Sequence, residues 1–203
     1  VVNVEAFEVF FRERRPFFLE DQDIFETTPR ANQGGRQRLT LLNTRRIGGP
    51  ALAPLLGAEQ RVDPVDLARN SDLYGALKAT GNSGRLRYGL LTALEQDTDF
   101  LVDGPDGLSV TAQDGREFAA ARLLYEDAAG AGYRQLGLLT TIVEHPQLSA
   151  LGQGIDAHWL SGDGKIKLDT QTLYSRNETG QGLDVVSSEG FGQALDLVLT
   201  PRA

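Results

Sequence analysis

From Leu73 onward the chain is written in alternation. Leu86, Tyr88, Leu90, Thr92 and Leu94 interleave with Arg87, Gly89, Leu91, Ala93 and Glu95, and Ile166, Leu168, Thr170, Thr172 and Tyr174 with Lys167, Asp169, Gln171, Leu173 and Ser175. A period of two puts successive side chains on opposite faces of a strand, so each segment has one apolar and one mixed face. Segments of this kind, bounded by Gly, Asn and Asp, predict seven strands at 73–81, 86–96, 118–126, 133–143, 152–160, 165–175 and 191–200. NSGR (82–85), DAAGAG (127–132) and SGDG (161–164) make short connections. They are expected to alternate strictly with longer ones: an Asp-rich loop (97–117), EHPQLSA (144–150) and RNETGQGLDVVSSEG (176–190).

A meander whose two ends differ in loop length is how outer-membrane barrels are built. The expected fold is therefore all-β, an antiparallel up-and-down meander forming part of an outer-membrane-type β-barrel, with an irregular N-terminal segment. Leu86, Leu90, Leu94, Ile166 and Leu168 would face lipid, and Arg87, Glu95, Lys167 and Asp169 the lumen. A half-buried soluble sheet would show the same alternation. Strands of about 9 to 11 residues, the length a tilted strand needs to cross a bilayer, favour the barrel. So does the placing of Tyr74, Tyr125, Tyr133, Trp159, Tyr174 and Phe191 near strand ends, as in an interfacial girdle.

Residues 1–70 follow neither period. FFRERRPFFLEDQDIF (10–25) sets Phe pairs among arginines and carboxylates around one proline, and ANQGGRQR, LTLLNTRRIGG and a connector with Pro50, Pro54 and Pro64 come after it. We divide the chain into residues 1–70, an irregular Phe/Arg-rich segment leading into or plugging the barrel, and residues 71–203, an antiparallel meander forming an incomplete barrel. A sealing segment must meet apolar wall on one side and charged lumen on the other, which Phe and Arg together satisfy. Arg14, Arg15, Arg45 and Arg46 are expected to pair with inward Glu95, Glu126, Asp156 and Asp169 through forked hydrogen bonds.

Composition narrows the partners. A net charge of -8 and a pI near 4.8 argue against nucleic acid, which needs clustered Lys and Arg. No apolar run approaches the length of a membrane helix. Absence of cysteine excludes disulfides and Cys-ligated metal. A chain that opens on Val1 and contains no methionine is expected to be cut from something longer.

Catalytic and metal chemistry find little support. Glu13, Glu20, Asp21 and Asp23 supply carboxylates, but a glycosidase needs two at about 5 or about 6.5–9.5 Å across a sugar, and carboxylates beside arginines are more often ion-paired structure. The only histidines are His145 and His158. His158 stands two residues from Asp156 on one strand face, a spacing that suits a lumen hydrogen-bond pair better than a metal. DTDFLVDGPDG (97–107) lacks the ligand order of an EF-hand and is expected to be a solvated loop. The glycines at 152–154 show no GxGxxG before a helix. No catalytic residue, metal or cofactor is assigned. Arg14, Arg15, Arg45, Arg46, Asp156, His158 and Asp169 are the candidate ligand-binding or lumen-facing residues.

FFRERRPFFLEDQDIF followed by LNTRRIGG resembles the paired motifs F-P-E-K-R-P-F-F-L-E and Y-S-R-R-I-G of an uncharacterised membrane-associated C-terminal β-barrel domain family. That domain usually follows a carbohydrate-binding family 9-like module in Gram-negative bacterial outer-membrane proteins. GALKATG (75–81), AARLLYE (120–126) and GIDAHW (154–159) are similar to its G-A-x-K-x-T-G, V-V-R-x-x-R-D and G-V-D-A segments. Arg12, Asn43–Thr44 and Tyr125–Glu126 depart from the pattern. The resemblance implies localisation in the cell outer membrane. Its implied partners are outer-membrane lipid, a preceding carbohydrate-binding module and further barrel strands of the same full-length chain. The expected function is non-catalytic surface binding or passage of a carbohydrate-type ligand. A surface-attached glycan-processing enzyme and a structural membrane anchor for the module are the alternatives.

Overall fold

The computed structural model describes residues 13–27, 41–128, 132–180 and 184–200. In chain order its strands are β1 (Arg61–Val62), β2 (Leu73–Ser83), β3 (Leu86–Glu95), β4 (Thr98–Gly104), β5 (Gly107–Gln113), β6 (Glu117–Asp127), β7 (Gly132–His145), β8 (Leu148–Ser161), β9 (Ile166–Thr179) and β10 (Val186–Leu199). Seven of them form one antiparallel sheet in the order β10-β9-β8-β7-β6-β3-β2, an up-and-down meander open at both edges among the described residues. These are the seven strands the alternation predicts.

Three expectations change. Residues 97–117 are not a solvated loop: β4 and β5 form a hairpin there, joined through Pro105–Asp106 and Gly107 at φ 99°, and β1 completes a second, three-stranded sheet. The apolar residues Phe100 and Val102 of that hairpin are fully buried, which the spaced aspartates had obscured. Strands β7 to β10 each run 14 residues, longer than the 9 to 11 expected. The connection between β7 and β8 is a two-residue turn, Pro146–Gln147, so long and short loops do not alternate strictly.

The large sheet has two unlike faces. Its outer face is apolar and exposed: Leu86, Leu90 and Leu94 on β3, Leu136 and Leu138 on β7, Ile155 on β8, and Leu195 and Leu197 on β10. Among the described residues, charged outward residues occur only towards the strand ends, Asp127 and Arg134 at one end and Glu117, Glu144, Arg176, Glu178 and Glu189 at the other. Of the six aromatics placed near strand ends, Tyr133 turns to the inner face, where its hydroxyl meets Glu126 and Gln135, and Tyr174 and Phe191 pair in mid-strand. Tyr74, Tyr125 and Trp159 remain exposed near strand ends.

The N-terminal segment covers the apolar part of the inner face. Pro16 opens a one-turn helix, α1 (Pro16–Leu19), a position that its missing N–H and fixed φ suit. Asp21 then reverses the chain at φ 47°, a left-handed conformation that aspartate tolerates, into a 3-10 turn at Gln22–Phe25. The two reversals bring Phe18, Ile24 and Phe25 onto one side, and with Leu41 and Ile47 they pack on Leu91, Ala93, Phe118, Leu139, Val143, Ala150 and Leu173 of the sheet. This is the main core. Phe10, Phe11, Arg12 and ANQGGRQR lie outside the described residues. Among the described residues no helix is long and apolar enough to cross a membrane.

Candidate functional site

The inner face divides into two zones. Where the N-terminal segment lies, the side chains are apolar. Towards the connections 84–85, 128–131 and 162–165 they become polar, and the strand register sets Glu126, Gln135, His158, Asp169 and Asp196 side by side in one row across β6 to β10. Arg87, Asp156 and Gln171 stand in the adjacent row.

The buried carboxylates of the two rows, Asp156 and Asp169, are paired. Asp156 is 1% exposed and is gripped by both terminal nitrogens of Arg122, Nη1 to Oδ1 at 2.5 Å and Nη2 to Oδ2 at 2.8 Å. The two residues sit on β6 and β8 with β7 between them, and the guanidinium crosses directly over Gly137. A Cβ there would stand 2.2 Å from Arg122 Nη2. Asp169, also 1% exposed, bonds the Nδ1 of His158 and receives Lys167 Nζ at 2.9 Å. His158 therefore pairs across strands with Asp169 and not with Asp156 two residues away.

The Tyr133 hydroxyl donates to Glu126 Oε1 at 2.7 Å and lies 3.1 Å from the Gln135 carboxamide. Its single proton is committed to the carboxylate, so the amide N–H of Gln135 is the better donor in the second contact. One polar atom of that buried carboxamide then makes no hydrogen bond, and neither does Arg122 Nε.

The N-terminal segment is fastened by two carboxylates. Glu13, its side chain only 4% exposed, accepts from Arg15 Nε at 2.9 Å and Nη2 at 2.8 Å and from the Thr44 hydroxyl at 2.8 Å, while Arg15 also donates to the carbonyls of Thr44 and Ile47 at 2.7 Å. Thus ERRPFF and NTRRIGG close on each other. Burial by itself would raise the Glu13 pKa, but the Arg15 guanidinium, the N–H groups of Arg14 and Arg15 and the Thr44 hydroxyl lower it to about 2. Glu95 does the same job against the sheet: it receives Arg116 in a fork at 2.7 and 2.9 Å and the Gly48 N–H at 2.8 Å. Lys78 reaches the carbonyls of Phe17 and Glu20, Thr80 donates to Asp21 at 2.6 Å, and Arg87 to Asp23 at 2.9 Å.

Of the sequence candidates, Asp156, His158 and Asp169 are brought together on the inner face. Arg15 serves the N-terminal segment, where Glu13 and main-chain carbonyls take it instead of the strand carboxylates. Arg14 is exposed on the same segment. Arg45 and Arg46 lie in a 3-10 turn, Thr44–Arg46, capped by Asn43, and the Arg46 carbonyl accepts from Arg116. Glu126, Asp156 and Asp169 meet partners from the sheet itself, Tyr133, Arg122, and His158 with Lys167, while Glu95 meets Arg116, just before β6, and the Gly48 N–H of the N-terminal segment. Arg122 and Arg116 were not among the candidates. A lone arginine on the inward phase of AAARLLY, opposite a strand carrying glycine at 137, was the available signal.

A family model described as Domain of unknown function (DUF5916) matches residues 1–111. The chain belongs to this family. The DUF5916 match spans the fastened N-terminal segment and β1 to β4 and ends within β5, so it includes Glu13, Arg15, Thr44 and Glu95, while Arg122, Asp156, His158 and Asp169 lie beyond it. No curated protein and no solved structure matches the chain.

Proposed function

We propose that this chain is part of a bacterial outer-membrane β-barrel of non-catalytic function, whose inner polar row binds or passes a carbohydrate-type ligand at the cell surface. The observation that carries the membrane reading is the distribution of charge on the outer face. On β7 the outward residues between Arg134 and Glu144 are Leu136, Leu138, Thr140 and Ile142. Ten residues of strand span roughly 34 Å, and a tilt of about 40° projects this to roughly 25 Å, the height of the apolar band of outer-membrane barrels. An exposed apolar surface this continuous needs a cover, and lipid supplies one for every strand at once.

The ligand reading rests on the inner row. Half-buried Tyr133 and His158 offer a phenol edge and an imidazole, held in place by the buried Gln135 and Asp169 beside them, a mix of planar donors and acceptors suited to sugar hydroxyls. Asp156, Asp169 and Glu95 are each held by cations, which suits fixed binding geometry better than a poised acid and base. The remaining partners in this reading are a preceding carbohydrate-binding module and further strands of the same longer chain.

Trp159 is the sole tryptophan and lies on the outer face. With the full chain in phospholipid vesicles, brominated acyl chains should quench its emission while aqueous iodide leaves it largely unchanged. Quenching by iodide with no response to bromolipid would overturn the membrane assignment.

A further inference from the structure

The small sheet ends in a strand built to be paired. Among the described residues β5 is the outermost strand of β1-β4-β5, and its seven residues, GLSVTAQ, carry no charge and no proline. Free edges in soluble surroundings are ordinarily blunted by charged side chains, proline or a covering loop. Here Leu108 and Val110 are 70% and 66% exposed, and Leu101 of β4 stands opposite Val110, so an apolar ledge runs beside the free edge. The hairpin emerges between Glu95 and Glu117, at the end of the large sheet that carries the outward glutamates Glu117, Glu144 and Glu178 and beyond its apolar band.

We propose that the free edge of β5 takes up an extended peptide segment of a partner protein by strand addition, and that this segment is apolar or β-branched in the middle and basic at its ends. Main-chain hydrogen bonds to an edge supply affinity without regard to sequence, and side chains beside the edge supply choice. The charge is what selects the partner. Asp106 and Asp114 bracket β5 immediately before Gly107 and after Gln113, and residues 97–114 contain five aspartates, Asp97, Asp99, Asp103, Asp106 and Asp114, with no Lys or Arg. Of the nearby cations, Arg116 is forked by Glu95, Arg69 donates to the Asp99 carbonyl, and Arg61 stands opposite Asp103 on the side of β4 away from β5. A basic end on the incoming strand therefore meets acid at either side of the edge, and an acidic one meets repulsion.

The probe is the acetylated, amidated heptapeptide Lys-Thr-Val-Thr-Val-Thr-Lys, with the same peptide carrying Glu at both ends as control, added to the full chain in detergent micelles. Hydrogen exchange should slow across 107–113 with the Lys peptide, and the Glu peptide should bind at least about tenfold more weakly. Val110→Lys, at an exposed position that the fold does not need, should weaken the Lys peptide by about tenfold or more through charge repulsion. Val198→Lys on the edge of β10 should leave binding unchanged. Equal binding of the two peptides, slowed exchange at 73–83 or 186–199 instead of 107–113, or indifference to Val110→Lys would each overturn the proposal.

Discussion

Arg122 and Asp156 meet across an intervening strand because residue 137 has no side chain. The fork between them is fully buried on both sides, so its desolvation is balanced only while both partners remain in register. Asp156→Ala, which strands the guanidinium, should cost about 3–5 kcal/mol, and the paired replacement Arg122→Met with Asp156→Leu should cost far less. Urea unfolding followed by the tryptophan signal would measure both. Gly137→Ala should approach the single-mutant loss, since its Cβ would stand 2.2 Å from Arg122 Nη2.

The fastening of the N-terminal segment should depend on pH with a definite sign. Glu13 has its folded pKa lowered to about 2 from 4.5. A depressed carboxylate contributes stability that is fully present above the unfolded value and is lost as pH falls through the folded one. Cleavage by a protease active in acid, at sites within 13–27, should therefore rise as pH drops from about 4.5 towards 2. Glu13→Gln should remove that dependence and loosen the segment by about 1.5–3 kcal/mol, the usual worth of hydrogen bonds to a charged group.

Two glycines on the inner face mark where the N-terminal segment rests. A Cβ at Gly89 would lie 2.9 Å from Phe25 Cζ and 3.0 Å from Ile24 Cγ2, and one at Gly154 would lie 2.7 Å from Leu41 Cδ1 and 2.8 Å from Leu173 Cδ2. Gly89→Val and Gly154→Val should each cost about 1–3 kcal/mol by overpacking. The loss should appear as faster hydrogen exchange in 13–27 and 41–50 while β7 and β8 stay protected. Equal loosening of the strands would mean that the segment and sheet unfold as one unit.

Orientation of the large sheet is testable by charge. Leu90 and Leu138 are exposed on the outer face, whereas Gln171 is buried on the inner. In vesicles Leu138→Arg should destabilise by about 2–4 kcal/mol if it sits near the midplane, and Leu90→Arg by a similar or smaller amount. In detergent dispersion, a cysteine at 138 should be shielded from a water-soluble maleimide, whereas one at 144, exposed at the rim of the same face, should label readily. Equal labelling at the two positions would argue for an outer face in water.

Alternation alone specified the seven strands, their up-and-down order and the face on which Leu86, Leu90, Leu94, Asp169 and Glu95 would lie. The reason is that a side-chain period of two is a local property of the backbone and needs no partner to be read. The hairpin of β4 and β5 escaped because a short apolar run flanked by aspartates has no long period to reveal it. The pairing of charges was decided by tertiary structure. Sequence placed His158 beside Asp156, two residues apart, but cross-strand register sets His158 opposite Asp169 and leaves Asp156 to Arg122, reached over Gly137. The Phe17–Phe18 doublet of FFLEDQDIF gained meaning in the same way. One helical turn, one left-handed aspartate and one 3-10 turn gather Phe18, Ile24 and Phe25 to the sheet, because burial against Gly89 and its neighbours outweighs any period the segment has on its own.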